Sequence, residues 1–176
     1  YQTSSVHAME AACGATVGGQ LRALRPLLYC GEWIESHVLH AFMLHAPDFL
    51  GYQSAIEMAK DHGVLVEKAL RMKKIGNHLM TVVGGREIHP VNVKVGGFWK
   101  APTRASLLAL VPDLEWARDT AAASTKLMAG FDCPDFGRDY EFVAMRHPDE
   151  YPLCEGRIVS SRGLDIAVAD YEKHFE

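Results

Sequence analysis

The chain has 176 residues, 18 basic and 22 acidic side chains, a net charge of −4 and 48% apolar residues. This is a globular composition large enough for a real core, so folding needs no disulfide or metal staple. The acidic balance excludes a general electrostatic hold on nucleic acid or anionic lipid. No charge-free apolar run approaches the ~18 residues of a membrane span.

Tyr1 to Cys13 carries Val6, Met9 and Cys13 at helical spacing and predicts a short helix, stopped by Gly14. A long helical pattern follows from about Gln20 to His45, through Leu21, Leu24, Leu28, Ile34, Val38, Leu39, Phe42 and Met43. Pro26 kinks this helix or marks its true start. Ala46-Pro-Asp48 is expected to close it, because a residue before proline avoids the helical region. Asp48 to Asp61 reads as a short connecting helix, and Leu65 to Val83 as another long one, stopped by Gly84-Gly85. Residues 84–102 change character, with glycines, prolines and short β-branched runs, and predict loop and short strand. Helix returns from Thr103 to Leu110. A last helix starts around Pro112, a favourable first-turn proline, and runs to Met128. Beyond Phe131 the text is turn-rich, with strands expected at Tyr140–Ala144, Arg157–Ser160 and Asp165–Val168.

The expected fold class is therefore mainly α: a long-helix bundle with a small β-containing lobe. Residues 1–130 form the bundle, with a glycine-rich loop and strand insertion at 84–102. Residues 131–176 form the small lobe, which reads as truncated. Both chain ends read as cut, since Tyr1 opens inside a helical pattern and Glu176 follows no cap.

Four cysteines, Cys13, Cys30, Cys133 and Cys154, lie far apart with no C-x-x-C pair. Zinc knuckles, iron–sulfur ligation and thioredoxin-type chemistry have no support from them. Such sparse thiols suit a reducing cytosol. The densest histidine segment holds His37 and His40 three apart, on one helix face. Two imidazoles can start a metal site. However, no Glu-x-x-His occurs in this segment and no His-Glu-x-x-His anywhere, so buried packing or hydrogen-bonding roles are favoured. The second constellation is Gly84-Gly-Arg-Glu-Ile-His-Pro-Val-Asn-Val-Lys-Val-Gly-Gly97. Here Arg86 and Lys94 can hold an anion and His89 can carry a proton. The plainer reading is a glycine-rich turn pair capping the bundle. Neither nucleotide-binding glycine motif is present.

At these two constellations the chain resembles a known family. Gly31-Glu-Trp-Ile-Glu-Ser-His-Val-Leu-His40, then Ala46-Pro-Asp-Phe-Leu50, then Gly84-Gly-Arg-Glu-Ile-His-Pro-Val-Asn92 with Val95-Gly-Gly97, resemble the large subunit of nickel–iron hydrogenases. Tyr140-Glu-Phe-Val-Ala144 and Tyr151-Pro-Leu-Cys-Glu-Gly-Arg-Ile-Val-Ser160 extend the likeness, which is greatest to the cytosolic branch of the family. The resemblance implies an oxidoreductase that reversibly oxidises dihydrogen at a nickel–iron centre. It implies electron transfer to an iron–sulfur small subunit, and a cytoplasmic location. In that family four cysteines in two C-x-x-C pairs hold the metals, and this chain has neither pair. The chain is thus expected to be a central fragment, inactive alone, prone to self-association and holding no cofactor itself. Carried over by position, Ser36, His37, His40, Arg86 and His89 are candidates for supporting the metal centre or for the proton and electron paths. Arg86 and His89 lie in the segment that in the family faces the partner subunit. An alternative is a nickel-free scaffold or binding module, similar to the quinone-site subunit of respiratory complex I.

Overall fold

The computed structural model describes residues 1–175. The chain divides into two compact units, the first spanning Tyr1–Asp132 and the second starting at Cys133.

The first unit is helical. Helix α1 (Gln2–Cys13) ends at Gly14, whose left-handed φ of 63° lets its N–H cap the last turn. Helix α2 (Gly19–Val38) begins well before Pro26 and carries that proline inside it. A π-helical segment, Leu39–His45, follows without a break. The expected stop at Ala46-Pro47 is not one. Helix α3 (Ala46–Leu50) continues directly, with Pro47 as its second residue. The chain instead turns at Gly51, which has φ 80°.

The expected connecting helix over Asp48–Asp61 is likewise replaced. Ser54 caps a 30-residue helix, α4 (Ala55–Gly84), through its Oγ on the Glu57 N–H at 3.2 Å. Glu57 reaches back to the Gln53 N–H at 3.0 Å, a reciprocal pairing like that of a capping box. The helix is kinked at His62 (φ −119°, ψ 37°), so its two halves look separate in the sequence. Gly85 ends it in the left-handed region.

Strands β1 (Val93–Lys94) and β2 (Gly97–Phe98) form a small antiparallel hairpin pairing Val93 with Phe98. Helices α5 (Arg104–Leu108) and α6 (Val111–Met128) complete the unit, the first capped by Thr103 and the second opened by Pro112. The central contact is α2 on α4. There Leu24, Leu28, Leu79 and Val83 pack with Phe98 and Leu110. A second cluster joins Phe42 to Met72, Ile75 and Ala117. Leu39, expected on the apolar face, is 38% exposed, whereas Phe42 is 3% exposed.

The α2–α4 approach is very close. Gly31 and Gly76 leave no side chain between the two backbones. A Cβ on Gly76 would lie 2.7 Å from the Glu35 nitrogen and 2.8 Å from the Gly31 oxygen.

The second unit is a three-stranded antiparallel sheet ordered β3 (Val143–Arg146), β4 (Arg157–Ser160), β5 (Asp165–Ala167). β4 lies where the sequence predicts. β3 begins later than expected, at Val143, although Phe142 still bonds Ser161 through both its N–H and its carbonyl. Ile158 and Ile166 face each other in register and are the buried apolar pair. Asp165 accepts from Arg146 at 2.6 Å and from Arg157 at 2.5 Å, joining all three strands. A short 3₁₀ turn, Val168–Lys173, follows. The architecture is mainly helical with a small β lobe.

Candidate functional site

The candidate residues divide between the end of α2 and the loop after α4. Ser36, His37 and His40 are all exposed rather than buried. The Nδ1 of His37 lies 2.9 Å from the Trp33 carbonyl, and its ring rests on the Trp33 indole at 5.5 Å. His37 and Trp33 line an apolar cavity of about 380 Å³ between α2, α4 and α6, with Met72, Leu114 and Ala117. His40 sits in the π-helical segment against His45.

In the loop, Arg86 is exposed, and its Nε donates to the carbonyls of Ile88 (2.6 Å) and His89 (3.1 Å). This nitrogen closes the loop. Lys94 rests its Nζ over the Trp99 ring at 4.5 Å. Among the described residues these two cations are thus engaged by the loop's own groups. His89 has φ 51°, the single non-glycine residue with positive φ among the described residues. Such a conformation costs free energy and persists where neighbours hold it.

His89 lines a cavity of about 210 Å³ with Tyr1, Tyr29, Glu32, Glu35 and Glu87. Glu35 is held by Lys73 at 2.6 Å. Of the five candidates, His89 alone lines this cavity, although Ser36 and His37 directly follow Glu35 on α2.

Asn92 organises the rest of the loop. Its Nδ2 donates to the Val83 carbonyl at 2.9 Å and also to the Lys100 carbonyl, while its Oδ1 accepts from the Lys100 N–H at 2.8 Å.

One buried group escaped the sequence reading. Arg25 is 2% exposed and pairs with Glu10 at 2.9 Å, joining α1 to α2. The same guanidinium donates to the carbonyls of Lys94 and Gly97, and Glu10 accepts the Gly96 N–H at 2.8 Å. The pair thereby fixes the β1–β2 hairpin. Burial raises the Glu10 pKa. The Arg25 hydrogen bond, the Gly96 N–H and the Arg25 charge outweigh this and hold it below the usual value. A signal for the pair exists in the sequence: Arg25 stands between Leu24 and Leu28, in the phase of the buried face.

No family model matches the chain. Two curated relatives from Pyrococcus furiosus do. Sulfhydrogenase 2 subunit alpha is 44% identical over 107 residues, which is 61% of this chain and 26% of the relative. Sulfhydrogenase 1 subunit alpha is 35% identical over 129 residues, 73% of this chain and 30% of the relative. The chain matches part of a hydrogenase alpha subunit. It spans under a third of the length of these relatives. The chain also shares its fold with an NAD+-reducing nickel–iron hydrogenase solved in the hydrogen-reduced state. The TM-score is 0.77 at 19% identity, covering 90% of this chain and 40% of that one.

The residues of this chain do not fit a nickel–iron centre held by thiolates. Cys13, Cys30 and Cys133 are exposed and Cys154 is partly buried. Among the described residues no three His, Cys, Asp or Glu side chains converge to hold a metal. Among them, too, no helix is long and apolar enough to cross a membrane.

Proposed function

We propose that the chain is part of the large subunit of a cytoplasmic nickel–iron hydrogenase, and that it supplies scaffold and partner-facing loop rather than metal ligands. The intact enzyme would oxidise dihydrogen reversibly at its nickel–iron centre and pass electrons to an iron–sulfur small subunit. The match to sulfhydrogenase alpha subunits carries this reading. In it, Ser36, His37 and His40 support the helix that flanks the His89 cavity, while Arg86 and His89 shape the loop that meets the small subunit. Residues beside a metal site that orient its groups typically change activity or affinity by about 10–100-fold when replaced.

By itself the chain has no thiolate set to hold the metals, so it should show no hydrogen-dependent dye reduction. A chimera tests the larger reading. The matching 107 residues of Pyrococcus furiosus sulfhydrogenase 2 subunit alpha are replaced by those of this chain. The chimera is expected to keep nickel, retain its small subunit and reduce dye under hydrogen. A chimera that folds and takes up nickel but has lost its partner and all activity would overturn the assignment.

A further inference from the structure

Five residues of an α-helix turn through about 500°, which leaves positions i and i+5 roughly 140° apart. His40 and His45 would then stand on different faces. The segment Leu39–His45 is π-helical instead, and the Ala46 N–H bonds the Ala41 carbonyl five residues back. Bonding of this kind brings residues five apart towards one face, and π-helical turns are frequent at functional sites. The two exposed imidazoles consequently meet, with ring centroids 4.3 Å apart and planes at 74°.

The hydrogen bonding suits ligation. His45 Nδ1 lies 3.3 Å from the His40 carbonyl. A carbonyl only accepts, so this contact puts the proton on Nδ1 and leaves the Nε2 lone pair free. A metal-binding histidine is commonly anchored through its other nitrogen in this way. Among the described residues, neither ring nitrogen of His40 is taken by a hydrogen bond.

We propose that His40 and His45 chelate a zinc ion on the exposed face of the π-helical segment, with water completing the coordination. Two Zn–N bonds of about 2.0–2.1 Å at a tetrahedral angle set imidazole centroids about 5 Å apart. From 4.3 Å, this needs only a rotation of two exposed side chains. No third protein ligand converges there among the described residues, so the remaining coordination positions face solvent.

The test is calorimetric titration of the chain, made without a histidine tag, with zinc chloride. One zinc per chain is expected. His40→Gln and His45→Gln should each weaken binding by at least about tenfold, the lower end of what loss of an anchoring partner alone does. Both positions are exposed, so helical circular dichroism should be unchanged in either variant. His78→Gln, at an exposed position on α4, should bind like the parent. Absence of stoichiometric uptake, full affinity in both His40→Gln and His45→Gln, or an equal loss in His78→Gln would each overturn the proposal.

Discussion

Replacing Gly76 by alanine tests the central packing of the bundle. The added Cβ would stand 2.7 Å from the Glu35 nitrogen, 2.8 Å from the Gly31 oxygen and 3.2 Å from the Glu35 Cα. All three are backbone atoms, so no side chain can swing aside and the helices must separate. Overpacking a core costs about 1–3 kcal/mol, and rigid neighbours put this site at the upper end, about 3 kcal/mol. Alanine recovers about 1 kcal/mol of helix propensity over glycine. The net loss is about 2 kcal/mol, or about 8 °C in melting temperature for a unit of this size. Gly63, on the same helix, has open space around it and no left-handed φ. Gly63→Ala should therefore raise stability by up to about 1 kcal/mol. Thermal unfolding followed by far-ultraviolet circular dichroism reads both. A Gly76→Ala chain that melts at or above the parent would refute the close α2–α4 contact.

Arg25→Met leaves Glu10 buried and charged without its partner, which should cost about 3–5 kcal/mol in denaturant unfolding. Because the Glu10 pKa is lowered from 4.5, the contribution of the pair is present above that pH. It is lost as pH falls through the lowered value. The stability gap between parent and Arg25→Met should thus narrow in acid; a gap that stays constant down to pH 3 would contradict the pairing. Leu39→Asp should fold with near-parental helicity, because Leu39 is 38% exposed, whereas Phe42→Asp, at 3% exposure, should not fold. Equal behaviour of these two variants would show the helix face to be misassigned. In an intact alpha subunit, His89→Asn keeps a residue type that tolerates positive φ and removes the imidazole. Hydrogen-dependent dye reduction should fall while nickel content, measured by metal analysis, stays normal. Loss of nickel would make His89 a structural residue of the metal centre instead.

Elements with local punctuation were legible in the sequence. Gly14 and Gly85 stop helices by adopting left-handed φ, Thr103 caps α5, and Pro112 opens α6. Boundaries set by context were not. Pro47 reads as a stop, yet the helical run carries on through it from the π-helical segment into α3. The π-helical segment is invisible to a search for 3.6-residue spacing, because its signature is a pairing five residues apart, His40 with His45. The start of β3 was misplaced because Phe142 pairs with Ser161 without extending the regular strand. The candidate residues could be named from the sequence, but not their surroundings. Only the fold shows that Arg86 Nε closes its own loop, or that His89 shares a cavity with Glu35.

The packing then explains how residues remote from any chemistry can govern that cavity. Glu35 reaches it from α2, and its backbone touches Gly76 of α4, so the α2–α4 separation sets where the carboxylate stands. His89 reaches it from the loop that leaves α4. That loop is tied at its base by Asn92 on the Val83 carbonyl. The hairpin beyond is tied by Arg25 and Glu10 through Lys94, Gly96 and Gly97. His89 is therefore held by Arg86 Nε on its carbonyl and by an anchor on either side, consistent with its positive φ. Loosening either anchor would let His89 relax to negative φ and withdraw from Glu35. Gly76 and Arg25 would then alter the cavity by position alone, though neither lines it.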